Sequence, residues 1–332
     1  MYATTENENV EKNHRPIRIA VVCAAVMMAV ALVPLFADGL IAEETVEEGN
    51  DGDVHWVISG DTMTITPKEG KDKADMDDYD DAGEEPNWRK AVGWPNVKNV
   101  EIKGGVTCVG KRAFAYVDDE GGAKIETVTF DGSVKKIKEC AFISQYIQTI
   151  NFSEGLEEIG PTAFGYCYLA SLTLPASLKK IGDNGFFLSG GSLHDLVLPE
   201  TLEYVGWGAF EGIGSLKRVT ISCKEVGGEA FAMVGPLEYL EISSNVKKIG
   251  GNAITCIFVI DGQEHDFNDL DIDQLRGTVW TGNGDNYLYL QNSAGDQSNN
   301  DNLLLYVAIG VCAVIVIVAI AYYLHKKQQS SV

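Results

Sequence analysis

The stretch "LEEIGPTAF" at 156–164 decides the fold, because the chain repeats close variants of it. Related phrases are "LKKIGDNGF" at 178–186, "LEYVGWGAF" at 202–210 and "VKKIGGNAI" at 246–254. The residue that closes each phrase, aromatic in all copies but the seventh, falls at Phe114, Phe142, Phe164, Phe186, Phe210, Phe231 and Ile254. Self-similarity with a period of about 23 residues predicts an array of stacked repeats.

An apolar frame of the form L-x-x-L-x-L precedes each phrase, as in Leu169, Leu172 and Leu174. The alternation at the end of the frame predicts a short half-buried strand. The "IG" step then reverses the chain, and the small residue and the phenylalanine return it to the core. Because one such unit cannot bury its apolar face alone, we expect the copies to stack into a β-rich solenoid with the phenylalanines in its core.

The phrases "LASLTLPASLKKIGDNGF" at 169–186 and "LHDLVLPETLEYVGWGAF" at 193–210 carry a resemblance to a known family. Both resemble the consensus of BspA-type leucine-rich repeats, roughly LxxIxIPxxVxxIGxxAFxxC, including its proline. The resemblance covers about 97–256. It implies a leucine-rich-repeat solenoid with short parallel strands in a surface protein of a family that serves in adhesion and diverse recognition. Because the first copy carries an insert and the sixth is a residue short, we expect the array to bend or loosen there.

Regions on either side of the repeats are expected to cover the ends of the solenoid. Seven repeats of about 23 residues occupy 96–256. Residues 38–95 are predicted to form an N-terminal β cap with an acidic loop, because "VHWVISGDTMTIT" at 54–66 has the pattern of a hairpin around "SGD". Residues 257–290 lose the period but keep strand-like runs, which indicates a C-terminal cap, and 291–302 have the polar composition of a linker.

Two apolar stretches without charged residues flank this region. Residues 303–324 are predicted to form a transmembrane helix, because their length of roughly 33 Å spans a bilayer core of about 30 Å. Residues 19–37 follow a cytoplasmic leader at 1–18 and are predicted to be either a cleaved signal peptide or an uncleaved signal anchor. Under both alternatives the repeats are extracellular and the tail at 325–332 is cytoplasmic. The predicted localisation is the plasma membrane, single-pass after cleavage and two-pass without it.

The chain is strongly acidic, with 26 basic and 48 acidic residues and a formal net charge of −22. Such a surface repels nucleic acid and anionic lipid, so nucleic acid is not an expected partner. Cationic partners and simple solubility at a cell surface are the two interpretations that the charge leaves open. Five of the seven cysteines lie outside the apolar stretches, too far apart for a metal knuckle or a redox motif, and we expect them to pack as small buried side chains.

No catalytic motif is present in the sequence, so we expect neither enzyme activity nor a cofactor. There is no G-x-S-x-G, H-E-x-x-H or P-loop pattern. The acidic run at 72–85 and "DLDID" at 269–273 lack the glycine of a Ca²⁺-binding loop, so we interpret each as a solvated loop and predict no metal site. Asn151 opens the single N-x-S/T sequence, but it falls within a predicted strand.

The best candidate for a functional site is the set of frame positions that point away from the core. Strands stack about 4.8 Å apart, so these positions form two parallel columns on one face. The centre of the face is rich in hydroxyl groups and its far end carries a basic and an aromatic side chain, a composition suited to peptide or sugar recognition. The candidate ligand-binding residues are Thr127, Thr129, Thr149, Asn151, Ser171, Thr173, Asp195, Arg218, Thr220 and Tyr239.

Two alternative functions are predicted. The first is a membrane-anchored cell-surface protein that mediates adhesion, or that recognises an extracellular protein or glycan, through this face. The second is a structural component of the cell envelope without a specific soluble ligand. Threonine also favours strands for packing reasons, so the hydroxyl-rich columns suit either function.

Overall fold

The computed structural model describes residues 46–80, 85–116, 122–282 and 284–291. Several predicted segments lie outside the described residues: the leader at 1–18, the apolar stretches at 19–37 and 303–324, nearly all of the linker at 291–302, and the tail at 325–332. Among the described residues, no helix has the length and apolar character needed to cross a bilayer.

The described chain is built mainly of short strands. These are β1 (Val46–Asp51), β2 (Val54–Ser59), β3 (Thr62–Pro67), β4 (Ala74–Asp75), β5 (Asn99–Ile102), β6 (Val106–Val109), β7 (Thr127–Phe130), β8 (Lys136–Ile137), β9 (Thr149–Asn151), β10 (Glu158–Ile159), β11 (Lys180–Ile181), β12 (Asp195–Leu198), β13 (Tyr204–Val205), β14 (Arg218–Ile221), β15 (Glu225–Val226), β16 (Tyr239–Ile242), β17 (Lys248–Ile249), β18 (Ile257–Ile260), β19 (Gln263–Asp266), β20 (Thr278–Gly282) and β21 (Tyr287–Leu290). Helical segments are 3-10 turns at Asn87–Lys90, Trp94–Asn96 and Phe267–Asp269 and one α-helix, α1 (Ile272–Leu275).

The strands of the described residues form three sheets. The first has the order β1-β2-β3-β5-β7-β9 and the third the order β12-β14-β16-β20-β21-β18-β19. We call the side formed by β5, β7, β9, the fourth frame at 171–174, β12, β14 and β16 the frame face. The second sheet runs without interruption through β4-β6-β8-β10-β11-β13-β15-β17, with every pairing parallel. The prediction of a β-rich solenoid with short parallel strands is confirmed.

The frame strands bury every second side chain. In β12, Asp195 and Val197 are exposed while Leu196 and Leu198 are buried, and β14 and β16 bury the same two positions. The alternation follows from the strand itself, because successive side chains point to opposite faces. Each fully buried leucine contributes about 1.5–3 kcal/mol relative to an exposed one, so the inward row holds the frames against the core.

A column of phenylalanine rings forms the centre of the core. All six are fully buried, and Ile254 takes the corresponding place in the seventh copy. Successive ring centroids, from Phe114 to Phe231, lie 4.9, 5.2, 5.4, 5.2 and 5.5 Å apart, with planes within 8° of parallel. Trp88 continues the column at its N-terminal end, 5.4 Å from Phe114. Stacked aromatic pairs contribute about 0.5–1.5 kcal/mol beyond their buried area, so the column links neighbouring copies.

The N-terminal cap extends the first sheet. Strands β2 and β3 form a hairpin at the position where the sequence predicts one, and β1, which the sequence did not indicate, pairs antiparallel with β2. Strand β3 then pairs in parallel with β5, so the cap is continuous with the first frame strand.

The described part of the acidic run at 72–85 is docked on the solenoid, which corrects its interpretation as a solvated loop. Strand β4 pairs with β6 at the edge of the second sheet. Ala74, Met76 and Tyr79 are buried, so apolar residues between the carboxylates hold the segment in place. The sequence interpretation rested on the number of carboxylates and did not consider these buried apolar residues.

One carboxylate of this segment is bound directly by the repeats. Asp78 accepts hydrogen bonds from the Lys111 N–H and from Lys138 Nζ, each at 2.8 Å. Burial alone would raise the pKa of Asp78, but the two hydrogen bonds and the lysine charges outweigh it and hold that pKa below its usual value.

The C-terminal segment covers the last frame strand, because β20 pairs antiparallel with β16. "DLDID" at 269–273 is not a loop, which corrects the second loop interpretation. Asp271 caps α1: its carboxylate accepts from the Asp273 N–H at 2.9 Å, and Gln274 Oε1 accepts from the Asp271 N–H at 2.9 Å. This reciprocal pair is a capping box, so the acidic residue has a structural role at the helix start.

Candidate functional site

The frame face is interrupted at the fourth copy. Residues 171–174 belong to no strand: the first sheet ends at β9 and the third begins at β12. The other two sides of the solenoid continue past this point, since β10, β11 and β13 pair in sequence and the rings of Phe164, Phe186 and Phe210 stay stacked. The opening is therefore local to one side and does not divide the core.

Two prolines account for much of the interruption. In the second and seventh copies the residue after the frame donates its N–H to the preceding frame: Asp131 to the Ile102 carbonyl at 3.0 Å and Ser243 to the Ile221 carbonyl at 2.9 Å. Pro175 and Pro199 hold this position in the fourth and fifth copies and have no N–H to donate. The fourth frame consequently lacks this bond on both of its sides.

The fifth copy adds a second cause. The step from Phe186 to Phe210 is two residues longer than the step from Phe164 to Phe186. The added length places Gly190 as the bridge partner of Leu169, ahead of the fifth frame. Strand β12 is therefore out of register with the fourth frame, although it pairs fully with β14. The predicted loosening at the sixth copy was wrong, because β14 and β15 remain paired in the ladders there.

The interruption opens a cleft of about 370 Å³ between the third and fourth frames. Its lining residues are Thr149, Ile150, Asn151, Phe152, Glu154, Ser171, Thr173, Leu174 and Pro175. Core residues reach the floor: Ile150 and Leu174 line the cleft and are 7–8% exposed, whereas Leu196 and Leu198 in the paired fifth frame are at most 1% exposed. The cleft thus passes between strands and combines polar walls with an apolar floor.

The predicted ligand-binding residues separate into two groups around this cleft. Before it, Thr127 pairs in register with Thr149, and Thr129 with Asn151, as the column prediction requires. Asn151 Nδ2 also donates to Thr129 Oγ1 at 3.0 Å, which links the amide to the neighbouring strand. Ser171 and Thr173 stand in neither ladder, but they line the cleft opposite Thr149 and Asn151.

In the C-terminal group of predicted residues, the side chains interact with one another. Asp195, Arg218 and Tyr239 lie side by side in register. Arg218 Nε is 3.4 Å from the Asp195 carboxylate, and its guanidinium carbon lies 4.4 Å from the centre of the Tyr239 ring. The Tyr239 hydroxyl donates to Glu241 at 2.8 Å. Burial and this acceptor raise the pKa of Tyr239 to about 12. Thr220, half-buried in β14, completes the group.

Five lining residues of the cleft were not among the predicted ligand-binding residues. Four of them were assigned to packing, although they line the cleft: Ile150, Phe152, Leu174 and Pro175. Glu154 was not considered, and it is the lining residue with a charge. Its carboxylate accepts from the Ala176 N–H at 3.0 Å and the Ser177 N–H at 2.9 Å, so it ties the third copy to the turn of the fourth. Two features of the sequence could have predicted the cleft: the prolines that follow the fourth and fifth frames, and the greater length of the fifth copy.

The lining of the cleft contains no cysteine. Cys167 and Cys223 are buried, and burial raises the pKa of each thiol to about 12, so neither is a thiolate at neutral pH. In the part of the chain that the structure describes, no group of three or more His, Cys, Asp or Glu side chains is arranged to hold a metal ion.

Several solved structures are similar to this chain. A leucine-rich repeat protein from Eubacterium ventriosum is 18% identical with a TM-score of 0.48, over 66% of this chain and 67% of that one. A leucine-rich repeat protein from Bacteroides ovatus is 21% identical with a TM-score of 0.45, over 67% of this chain and 59% of that one. A leucine rich cell surface protein from Faecalibacterium prausnitzii is 16% identical with a TM-score of 0.33, over 67% and 76%.

A family model provides the stronger comparison. No curated protein matches the chain. The model described as the BspA type leucine rich repeat region matches in six copies, over residues 93–191, 118–232 and 185–261. The matched ranges together span just over half of the 332 residues. They include every frame on either side of the cleft, and the chain belongs to the BspA-type leucine-rich-repeat family.

Proposed function

We propose that the chain is a membrane-anchored cell-surface protein that binds an extracellular protein or glycan through the frame face, at the cleft between the third and fourth copies. The observation that carries the proposal is the interruption of the face within an otherwise continuous solenoid. A protein whose repeats only filled space would gain stability from a closed ladder. In this chain the ladder of the frame face is interrupted, and exposed polar groups line the resulting cleft.

The composition of the cleft supports recognition. Thr149, Asn151, Ser171 and Thr173 are exposed and place three hydroxyl groups and an amide around an apolar floor. Ligand sites commonly combine an apolar surface with a few fixed polar groups. Strand β9 holds Thr149 and Asn151 on a rigid support, which lowers the entropy lost on binding.

The membrane part of the proposal rests on sequence. Residues 303–324 would cross the bilayer once, with the tail at 325–332 inside and the repeats outside. Residues 19–37 would be removed as a signal peptide or kept as a signal anchor. Protease added to intact cells should then digest the repeats; full protection of the repeats would refute this topology.

A structural role in the cell envelope is the second candidate. The self-contained group of Asp195, Arg218, Tyr239 and Glu241 favours it, because these side chains already bind one another. A face built entirely in this way would offer a ligand few polar groups without a partner.

Binding of the full chain to arrays of glycans and of cell-surface proteins tests the proposal. The variant Thr173→Trp fills the cleft, and Val197→Trp is its matched control at the same exposed position of the next frame. Binding that Thr173→Trp abolishes and Val197→Trp retains supports recognition at the cleft. Absence of binding by the folded wild-type chain would favour the structural role.

A further inference from the structure

The residues that precede successive frames form a row of contacts along the solenoid. Before the second to fifth frames these residues are Lys124, Tyr146, Tyr168 and Ser192. Lys124 Nζ lies 5.0 Å from the centre of the Tyr146 ring. The Tyr168 ring, from the next copy, stacks on the Tyr146 ring with centres 5.5 Å apart and planes within 16° of parallel. We call Lys124, Tyr146 and Tyr168 the tyrosine stack.

The tyrosine stack ends at Tyr168 with one ring face open. Ser192, the next residue in the row, is exposed and too small to cover a ring. Among the described residues, the ring of Tyr168 contacts one other aromatic ring, that of Tyr146. Although this contact covers one face, Tyr168 is 53% exposed, so the ring face toward the fifth frame is accessible from solvent.

Two further apolar side chains are exposed on the same side of the solenoid. Tyr166 lies two residues before Tyr168, and Leu188 holds the position of Tyr166 in the next copy. Both are more than 40% exposed, and both have a left-handed backbone, with φ of 60° and 51°. Glycine adopts this conformation freely, as Gly212 does one copy later. The chain thus keeps large apolar side chains where neither burial nor the backbone favours them, and exposed apolar clusters mark interaction sites.

We infer that the open face of Tyr168 binds an arginine side chain of a basic extracellular protein, at a surface separate from the cleft. The guanidinium group is planar and stacks on aromatic rings. It would lie over Ser192 and continue the row of the tyrosine stack. The inference goes beyond the proposed function, because Tyr168 is not among the residues that line the cleft.

This contact requires no separation of neighbouring copies. Tyr168 donates its N–H to the Ile147 carbonyl at 3.0 Å, and Ser192 donates its N–H to the Leu169 carbonyl at 3.1 Å. The copies on both sides of Tyr168 are therefore held at the distance of one repeat. The arginine reaches the ring from solvent, outside the backbone, where the small side chain of Ser192 leaves the ring face uncovered.

Two observations favour a cation over an uncharged ring as the group that covers Tyr168. The face of an aromatic ring attracts cations, and this chain places cations on two of its own tyrosines. Lys124 contacts Tyr146, and the guanidinium carbon of Arg218 lies 4.4 Å from the centre of the Tyr239 ring. The net charge of −22 also attracts a cationic partner.

Nuclear magnetic resonance of the full chain with isotope-labelled tyrosine rings tests the contact directly. The probes are N-acetyl-arginine amide and N-acetyl-citrulline amide, which has a similar shape and no charge. Tyr168→Phe identifies the Tyr168 signals by their loss. We expect the arginine probe to shift these signals saturably, and to leave those of Tyr289, an exposed tyrosine outside the stack, unshifted. Equal shifts at the two tyrosines, or equal shifts by the two probes, would overturn the inference.

Selection from a random peptide library against the full chain tests the partner. We expect enrichment of arginine, and a Kd weakened about two- to fivefold by Tyr168→Leu, because an exposed cation–π contact contributes about 0.5–1 kcal/mol. Tyr168→Phe, which keeps the ring, and Tyr289→Leu should retain the wild-type Kd. Selected peptides without arginine, or with a Kd that Tyr168→Leu leaves unchanged, would refute a basic partner at this surface.

This inference and the proposed function fail in different ways. Thr173→Trp, which fills the cleft, should leave the arginine-induced shift of Tyr168 intact; loss of that shift would place the arginine in the cleft and overturn the separate surface. Array binding that Thr173→Trp abolishes, without any arginine-induced shift, would retain the cleft and eliminate this surface. Maltohexaose that shifts the Tyr168 signals where the arginine probe does not would assign the ring to a sugar and eliminate the basic partner.

Discussion

The frame face and the second sheet come from the same repeats, yet one is interrupted and the other is continuous. Strands β10, β11 and β13 carry the second sheet across the third, fourth and fifth copies, where the frame face has no ladder. The phenylalanine column crosses the same region with little change in spacing. Continuity of the solenoid therefore depends on the second sheet and the ring column, and the third side is left able to open.

The residue that follows each strand explains the difference. Six of the eight described strands of the second sheet are followed by glycine, which allows very close approach. A Cβ atom on Gly160, for example, would lie 2.7 Å from the Lys138 carbonyl carbon. The fourth and fifth frames are followed by proline, which removes a donor. Within one repeat, glycine therefore allows one side of the solenoid to close, and proline favours an opening on another side.

Removal of a ring from the column should have the largest effect. Phe164→Ala is expected to lower the free energy of unfolding by roughly 3–5 kcal/mol, because the ring is fully buried between two stacked neighbours. Denaturant unfolding of the full chain measures this loss, with the exposed substitution Thr173→Ala as control. A loss below about 1 kcal/mol would mean that the column does not provide the continuity of the solenoid.

Crowding of the second sheet should come next. Gly160→Ala is expected to cost about 1–3 kcal/mol, because the added methyl group meets backbone atoms of the preceding copy that cannot move independently. Gly214→Ala, where a Cβ atom meets nothing within 4 Å, is the matched control. Equal stability of the two variants would show that close approach is not what holds this side together.

The edge of the second sheet should respond to pH. Because its folded pKa is lowered, Asp78 stabilises the fold above its unfolded pKa of about 4, and this contribution disappears as the pH falls through the folded value. Asp78→Asn is expected to lose about 0.2–1 kcal/mol at neutral pH, since the Lys138 pair is largely exposed. Unfolding of both proteins across pH measures the difference, which should vanish in acid; a constant difference would assign the loss to something other than the charge.

Restoration of the missing donors should change stability least. Pro175→Ala with Pro199→Ala returns an N–H to each side of the fourth frame, worth about 0.5–1.5 kcal/mol per bond, and loses about 0.4–1 kcal/mol per residue through greater freedom of the unfolded chain. The net change should be near zero. Hydrogen exchange at 171–174 should nevertheless become slower. Unchanged exchange would assign the interruption to the longer fifth copy alone.

The periodicity of the sequence predicted those features of the fold that are determined within each copy. Alternation within each frame places Leu196 and Leu198 inward, and recurrence of the closing phenylalanine predicts the column. Registers between copies follow where steps are regular, as for Thr127 with Thr149. These features need no knowledge of neighbours beyond their existence, so they can be derived from residue order alone.

Features that depend on pairs of copies were not predicted. The interruption requires two prolines in successive copies and a longer step, whereas each fourth- and fifth-copy phrase separately matches the consensus well. Adjacent placement of Asp195, Arg218 and Tyr239 was predicted, but not that they would satisfy one another. The acidic run was misjudged because Met76 and Tyr79, not its charges, determine where it lies.

The position of proline within the repeat has a consequence for how such chains change over time. Gain or loss of one whole copy upstream would move the cleft along the solenoid by one ring spacing, about 5 Å, without altering any buried contact type. An opening that arises within the repeats, and not from a separate insertion, can be relocated by duplication while the folded core is inherited unchanged.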